Sequence, residues 1–144
     1  MENKVEYQIT SSVNDGILEI IETGELTERT FEKMTNEVGA IIKANGVKKA
    51  LWDIRALNGR MENTNFYHHS RNSTSGIYDI QFAIVDIPEK AHYETVAKNA
   101  GLSWKWFADI DSAREWLKSK YRNDLLTKFF YLTQQQTFIR LKLC

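Results

Sequence analysis

The chain of 144 residues has one cysteine, Cys144, one proline, Pro88, and three histidines. A single thiol excludes a disulfide framework and a cysteine-based zinc site. No apolar run approaches the roughly 18 residues that a membrane-spanning helix needs. The opening stretch Met1-Glu2-Asn3-Lys4-Val5-Glu6 is charged where a secretory signal carries an apolar region. A cytoplasmic protein without a membrane span is therefore expected. Nineteen basic side chains balance nineteen acidic ones, so the global positive field that holds nucleic acid is missing. The seven glycines stand singly. That removes the glycine-rich phosphate loops of the P-loop and Rossmann types, and no Gly-x-Ser-x-Gly elbow is present. No cofactor is expected, and the chain is not expected to be an enzyme.

What is present is enough for one packed domain: 42% hydrophobic residues, 12% of all residues aromatic. The neutral total hides an asymmetry. Residues 1–117 carry a net charge of −5, and residues 118–144, with six basic side chains and the single acid Asp124, carry +5. Two parts are read from this: a domain over 1–118, and a basic aromatic extension over 119–144. Leu125, Leu126, Phe129, Phe130, Tyr131 and Leu132 are too many large apolar residues to leave in water. The extension is expected to pack on its own acidic body or on a second copy. Adjacent Phe129 and Phe130 point to different sides of a helix, which favours a homodimer formed through residues 121–144.

Periodicity places the elements. Val5, Tyr7 and Ile9 alternate, Asn14-Asp15-Gly16 is a turn, and residues 17–22, with Ile17, Leu18, Ile20 and Ile21, form a second strand, so a β-hairpin is predicted. Thr27 is an N-cap, and Phe31, Met34, Val38, Ile41 and Ile42 recur on one helical face until Asn45-Gly46. Ala50 to Ile54 reads as a strand covered on both faces. A short helix is predicted within 61–70, a buried strand over 78–87, a helix over 89–100 and a short strand over 102–106. Asp109 or Asp111 caps a last helix, and Ser112 to Glu115 also fits a capping box. In that helix Trp116 is expected to pack inward beside Leu117. The helix is expected to run to about 132, with a terminal strand at 137–143, where Ile139, Leu141 and Leu143 alternate with Arg140 and Lys142. The order is β-β-α-β-α-β-α-β-α, an α/β layered domain with a mostly parallel mixed sheet.

Few residues offer chemistry. Adjacent His68 and His69 point about 100° apart on a helix, so they cannot easily ligate one metal, and no metal site is expected. Ser70, Ser73 and Ser75 lie near them without an oxyanion-hole motif; a hydrolase using the 64–75 cluster is the weakest reading. In parallel sheets, ligands gather beyond the carboxyl ends of the strands. Asp53, Arg55 and Asn58 fall there, with Asp86 and Asp109 as neighbours after the following strands. They form a polar binding rim, or Asp53 caps a loop amide or pairs with Arg55. Trp104 and Trp106 share a strand face, with Trp52 and Trp116 as neighbours; they are read as core, with stacking on a nucleobase or lipid tail as the alternative.

Four stretches resemble a known family. They are the β-β-α opening, the strand and loop Ala50-Leu-Trp-Asp-Ile-Arg-Ala-Leu-Asn-Gly59, the strand Phe82-Ala-Ile-Val-Asp86, and the closing Trp106-Phe-Ala-Asp-Ile-Asp-Ser-Ala-Arg-Glu-Trp-Leu117. Together they resemble the SpoIIAA-like branch of the STAS domains, relatives of the anti-sigma-factor antagonists, over about residues 5–118. The resemblance implies a small regulatory or binding module acting through protein partners. Family members are switched by phosphorylation of a serine in an Asp-Ser-Ser-Gly-type motif at the start of the helix after the central strand. That motif is absent here. Glu62 or Asn63 falls near its position and Thr64 is the nearest hydroxyl, so Thr64 becomes the candidate phosphosite, with Glu62 as a permanent charge beside it. Asp53, Arg55, Asn58, Glu62 and Thr64 form the expected ligand or partner rim. The fold also resembles the lipid-transfer core of the CRAL-TRIO type, and a carrier or sensor of a small apolar ligand is the alternative function.

Overall fold

The computed structural model describes residues 6–72 and 80–119. Strands β1 (Tyr7–Asn14) and β2 (Ile17–Glu25) form an antiparallel hairpin in which Asn14 faces Ile17. Asp15 and Gly16 make the turn, both with positive φ, which is what a tight two-residue connection demands. Helix α1 (Glu28–Asn45) starts at Thr27 with a reciprocal box: Thr30 N–H donates to Thr27 Oγ1, and Thr27 N–H donates to Thr30 Oγ1 at 3.0 Å. It ends at Gly46, whose left-handed backbone (φ 63°) lets its N–H reach the Ile42 carbonyl at 3.1 Å.

Next come β3 (Lys49–Asp53), the two-residue strand β4 (Leu57–Asn58), α2 (Asn63–Asn72), β5 (Gln81–Val85), α3 (Tyr93–Asn99) and β6 (Trp104–Phe107). A last helix, α4, covers 110–119 of the described residues. The sheet order is β1-β2-β3-β5-β6, parallel throughout except for the hairpin, with β4 alongside the end of β2. The expected α/β layered architecture and mostly parallel mixed sheet are present. Two small elements add to the expected order. One is β4. The other is a 3₁₀ turn at Pro88–Lys90, which replaces the first turn of the helix expected over 89–100. Pro88 fixes φ at the start of that turn. The turn closes with Lys90 N–H to Ile87 O and Ala91 N–H to Pro88 O, and α-helix begins only at Tyr93.

Register explains the layers. On β2, Leu18 and Ile20 point to one face and Ile17 to the other, as a period of two requires. The first face, with Ala50, Trp52, Phe82, Ile84 and Trp104, packs under α1, α2 and α3 and holds the larger core. The second face, with Ile17, Leu51, Ala83 and Val85, packs under Ala113 and Leu117 of α4. β3 and β5 are therefore covered on both sides, and their near-continuous apolar runs follow from that.

Asp109 is the cap of α4: Ser112 N–H donates to its Oδ1 at 2.7 Å and Ser112 Oγ bonds its Oδ2 at 2.9 Å. Ser112 is the third residue of α4 and not its N-cap, so the alternative box from Ser112 to Glu115 does not form. Trp116 is half-buried rather than inward, packing on the rim of the second core beside Phe107, with ring centroids 5.6 Å apart. Leu117 takes the buried position. The expected extension beyond Ser119, including the strand at 137–143, lies outside the described residues, as do Ser73 and Ser75.

Candidate functional site

The carboxyl ends of β3 and β5 bring Asp53 and Asp86 to the same end of the sheet. Asp53 is buried and fully engaged by its neighbour. Arg55 donates to it in a fork, Nε to Oδ1 at 3.0 Å and Nη2 to Oδ2 at 2.9 Å, and the Arg55 backbone N–H adds a third bond at 3.1 Å. This bidentate geometry raises the Arg55 pKa above its ordinary value. The remainder of the guanidinium is solvent-facing, with Asp109 as a further source of attraction. Asp109 itself is held below the usual carboxylate range by the Ser112 N–H and hydroxyl. Both local contacts of Asp53 form, the bond to a loop amide and the pair with Arg55.

Asp86 is 1% exposed and is held by Arg60, whose side chain is 9% exposed. Arg60 Nη2 donates to Asp86 Oδ1 at 2.6 Å and Nε to Oδ2 at 3.2 Å. The rest of the guanidinium binds the carbonyls of Ile54, Leu57 and Gly59 at 2.9, 2.5 and 2.7 Å. Arg60 thus ties the whole β3–α2 loop to the end of β5. Gly59 makes the loop sterically possible: its φ is 86°, and a Cβ there would lie 2.5 Å from the Leu26 carbonyl oxygen. On this anchored loop Asn58, Glu62 and Thr64 are exposed. Glu62 precedes α2, and its carbonyl accepts from Phe66 N–H at 2.8 Å. Thr64 is the second residue of α2.

Beneath α2 lies a cavity of about 50 Å³, walled by Phe31, Trp52, Met61, Phe66, Trp104 and Trp106, with Arg60 and Asp86 at its polar edge. The indole N–H groups of Trp104 and Trp106 are buried and have no acceptor among the described residues. The Tyr93 hydroxyl donates to the Met61 carbonyl, closing the α3 side. Close by, the Trp52 indole N–H donates to Glu22 Oε1 at 3.0 Å. Glu22 is 0% exposed, and its Oε2 has no partner among the described residues. Burial pushes its carboxyl up to about 7, with Glu37 adding to the rise and the Trp52 bond opposing it. Burial and the Glu37 carboxylate likewise push the Tyr7 hydroxyl up to about 12.

The expected rim is only partly one surface. Asn58, Glu62 and Thr64 share the exposed loop and helix start, whereas Asp53 is spent on Arg55. His68 and His69 are exposed, with His69 edge-on to Phe31 at 5.2 Å, while Ser70 is buried. The described residues contain no group of three or more His, Cys, Asp or Glu able to hold a metal, and no helix long and apolar enough to cross a membrane. Sequence reasoning missed Arg60 and Glu22. Glu22 was findable, because it is in phase with Leu18 and Ile20 on β2. Arg60 reaches across 26 positions to Asp86, and nothing local announces that.

The geometry is that of an α/β domain with a SpoIIAA-like fold, as the resemblance implied. Among solved structures, the chain is similar to an anti-sigma factor antagonist from Mycobacterium paratuberculosis. The TM-score is 0.55 at 12% identity, over 78% of this chain and 94% of that one. It also matches an uncharacterised protein of the DUF3478 family with a SpoIIAA-like fold from Shewanella loihica, with a TM-score of 0.49 and 21% identity over 81% and 98% of the two chains. No family model and no curated protein matches. At these identities the likeness is one of fold.

Proposed function

We propose that the chain is a non-enzymatic regulatory module of the STAS type that works by binding a protein partner through the β3–α2 loop and the first turn of α2. The observation that carries this is the division of labour at the carboxyl end of the sheet. The groups that would do chemistry are consumed internally: Asp53 by Arg55, Asp86 by Arg60, Asp109 by Ser112. The side chains left facing water, Asn58, Glu62 and Thr64, sit on a loop that Arg60 holds in place. Such a surface is pre-ordered for docking, which lowers the entropic cost of association. A phosphate on Thr64 would lie at the N-terminus of α2, where the helix dipole and free N–H groups favour it, and would add charge to the Glu62 already there. Affinity capture with the purified chain, followed by reconstitution with the purified partner, tests the reading. A Thr64→Arg variant with unchanged melting temperature is expected to lose the complex.

A second reading is a sensor or carrier of a small apolar ligand, and the cavity under α2 favours it. Its walls are aromatic and almost wholly apolar, so the fitting ligand is a small apolar body. At about 50 Å³ the cavity takes only a few waters as it stands, so a larger ligand requires its walls to move apart. Native mass spectrometry of the gently purified protein tests this: a bound small molecule of that class supports it, and a bare chain mass contradicts it.

A further inference from the structure

β1 is one edge of the sheet, and among the described residues no strand pairs with its outer side. Edge strands are normally guarded by lysine, proline, a bulge or shortness. β1 has eight residues, Tyr-Gln-Ile-Thr-Ser-Ser-Val-Asn, without a charge, a proline or a glycine. It pairs with β2 in continuous one-to-one register, so no bulge turns it away. Three large apolar side chains are exposed among the described residues, and two of them flank this edge: Val13 on β1 and Ile21 on β2, 48% and 47% exposed. Val13 faces Leu18, and Ile21 faces Thr10, so the two lie on opposite faces of the sheet. An added strand would extend the sheet past both.

Segment 137–143, Thr-Phe-Ile-Arg-Leu-Lys-Leu, has the alternation of such a strand. The described chain ends close to the edge: Lys118 Nζ lies 3.7 Å from Asp15 Oδ2, at the hairpin turn that closes β1. From there, 17 residues, 120–136, lead to Thr137. A fully helical link would cover about 26 Å and an extended one about twice that. β1 is about 27 Å long at roughly 3.4 Å per residue, so either link reaches it. Charge agrees. Residues 118–144 carry +5 against −5 on the body, Arg140 and Lys142 lie in the segment, and Glu6, Asp15 and Glu37 lie along β1.

The number of apolar residues decides whose segment it is. Residues 125–132 bring six large apolar side chains, whereas the described surface of one body exposes three, Val13, Ile21 and Ile87. Three exposed groups on one body do not match the six of the link in number; the same link from a second copy does. We propose that the chain forms a two-fold homodimer in which segment 137–143 of each copy pairs with β1 of the other and residues 125–132 of the two copies cover one another. Each edge is then used once and the assembly closes.

Light scattering and amide exchange test this on the full chain, on a chain truncated after Gln136, and on a full-length Ile139→Asp, Leu141→Asp double variant, which keeps the link if truncation impairs folding. The expected result is a mass of twice 16.8 kDa for the full chain, falling toward one copy in both variants. Exchange at the outward amides of Tyr7–Asn14 should then quicken by about tenfold or more. A full chain that runs as one copy overturns the proposal, including the case in which truncation still bares β1, since that is pairing within one chain. A dimer that survives both changes with β1 exchange unaltered overturns it equally.

Discussion

Two side chains, Arg60 and Glu22, govern the loop and the core beneath it. Arg60 has donors for Asp86 and three carbonyls, so losing it leaves a buried carboxylate and unpaired backbone oxygens together. Arg60→Met should destabilise by about 3–5 kcal/mol, the range for breaking a buried ion pair from one side, and urea unfolding measures it. A loss under about 1 kcal/mol would mean that the β3–α2 loop is held by something else. Glu22 gives a pH signature. Its folded carboxyl titrates near 7, above the ordinary value of 4.5, so the folded chain binds the extra proton between those values. Stability therefore falls as pH rises from about 4.5 to about 7 and is level above that, by up to about 3 kcal/mol at about 1.4 per unit. Glu22→Gln should remove the slope; a slope that persists would place its source elsewhere. Glu19, lowered by its Arg114 partner, acts in the opposite sense and at lower pH: its contribution is lost as pH drops below the usual carboxylate range.

At the scale of elements, the sequence was most legible where one signal acted alone. The Thr27 cap, the Phe31-to-Ile42 stripe and Gly46 specify α1 without help from the remainder of the chain. β3 and β5 were legible because coverage on both faces leaves an unbroken apolar run. Reading failed where tertiary contacts decide. β4 exists because Arg60 and Gly59 fold the loop back on Leu26, and a two-residue strand has no period to detect. The helix expected over 89–100 begins late because Pro88 closes a tighter turn first. In the site, Asn58 followed from strand order and Glu62 and Thr64 from the family resemblance, but the Arg60 anchor and the cavity followed from neither, since both join residues far apart in the chain. Trp116 is the test at this scale. Half-buried against Phe107, with Lys105 Nζ 5.8 Å from its ring centre, it should cost about 1–3 kcal/mol on mutation to alanine, below the ~3–5 of a fully buried aromatic. A thermal or urea melt showing the full loss would put the ring inside the second core.

For the whole molecule, the parts share one logic. Two apolar cores clamp a mostly parallel sheet, and the charged groups at its carboxyl end are spent on holding a loop in place. The surface that remains there, Asn58, Glu62 and Thr64, is polar and exposed, and the proposed recognition of a protein partner rests on it. The most direct measurement is a binding titration of the captured and purified partner against the wild-type chain and an Asn58→Arg, Thr64→Arg double variant of equal melting temperature. The account predicts a defined complex with the wild type and a dissociation constant raised at least about tenfold, roughly 1.4 kcal/mol, in the variant. Equal affinity for the two chains would contradict it.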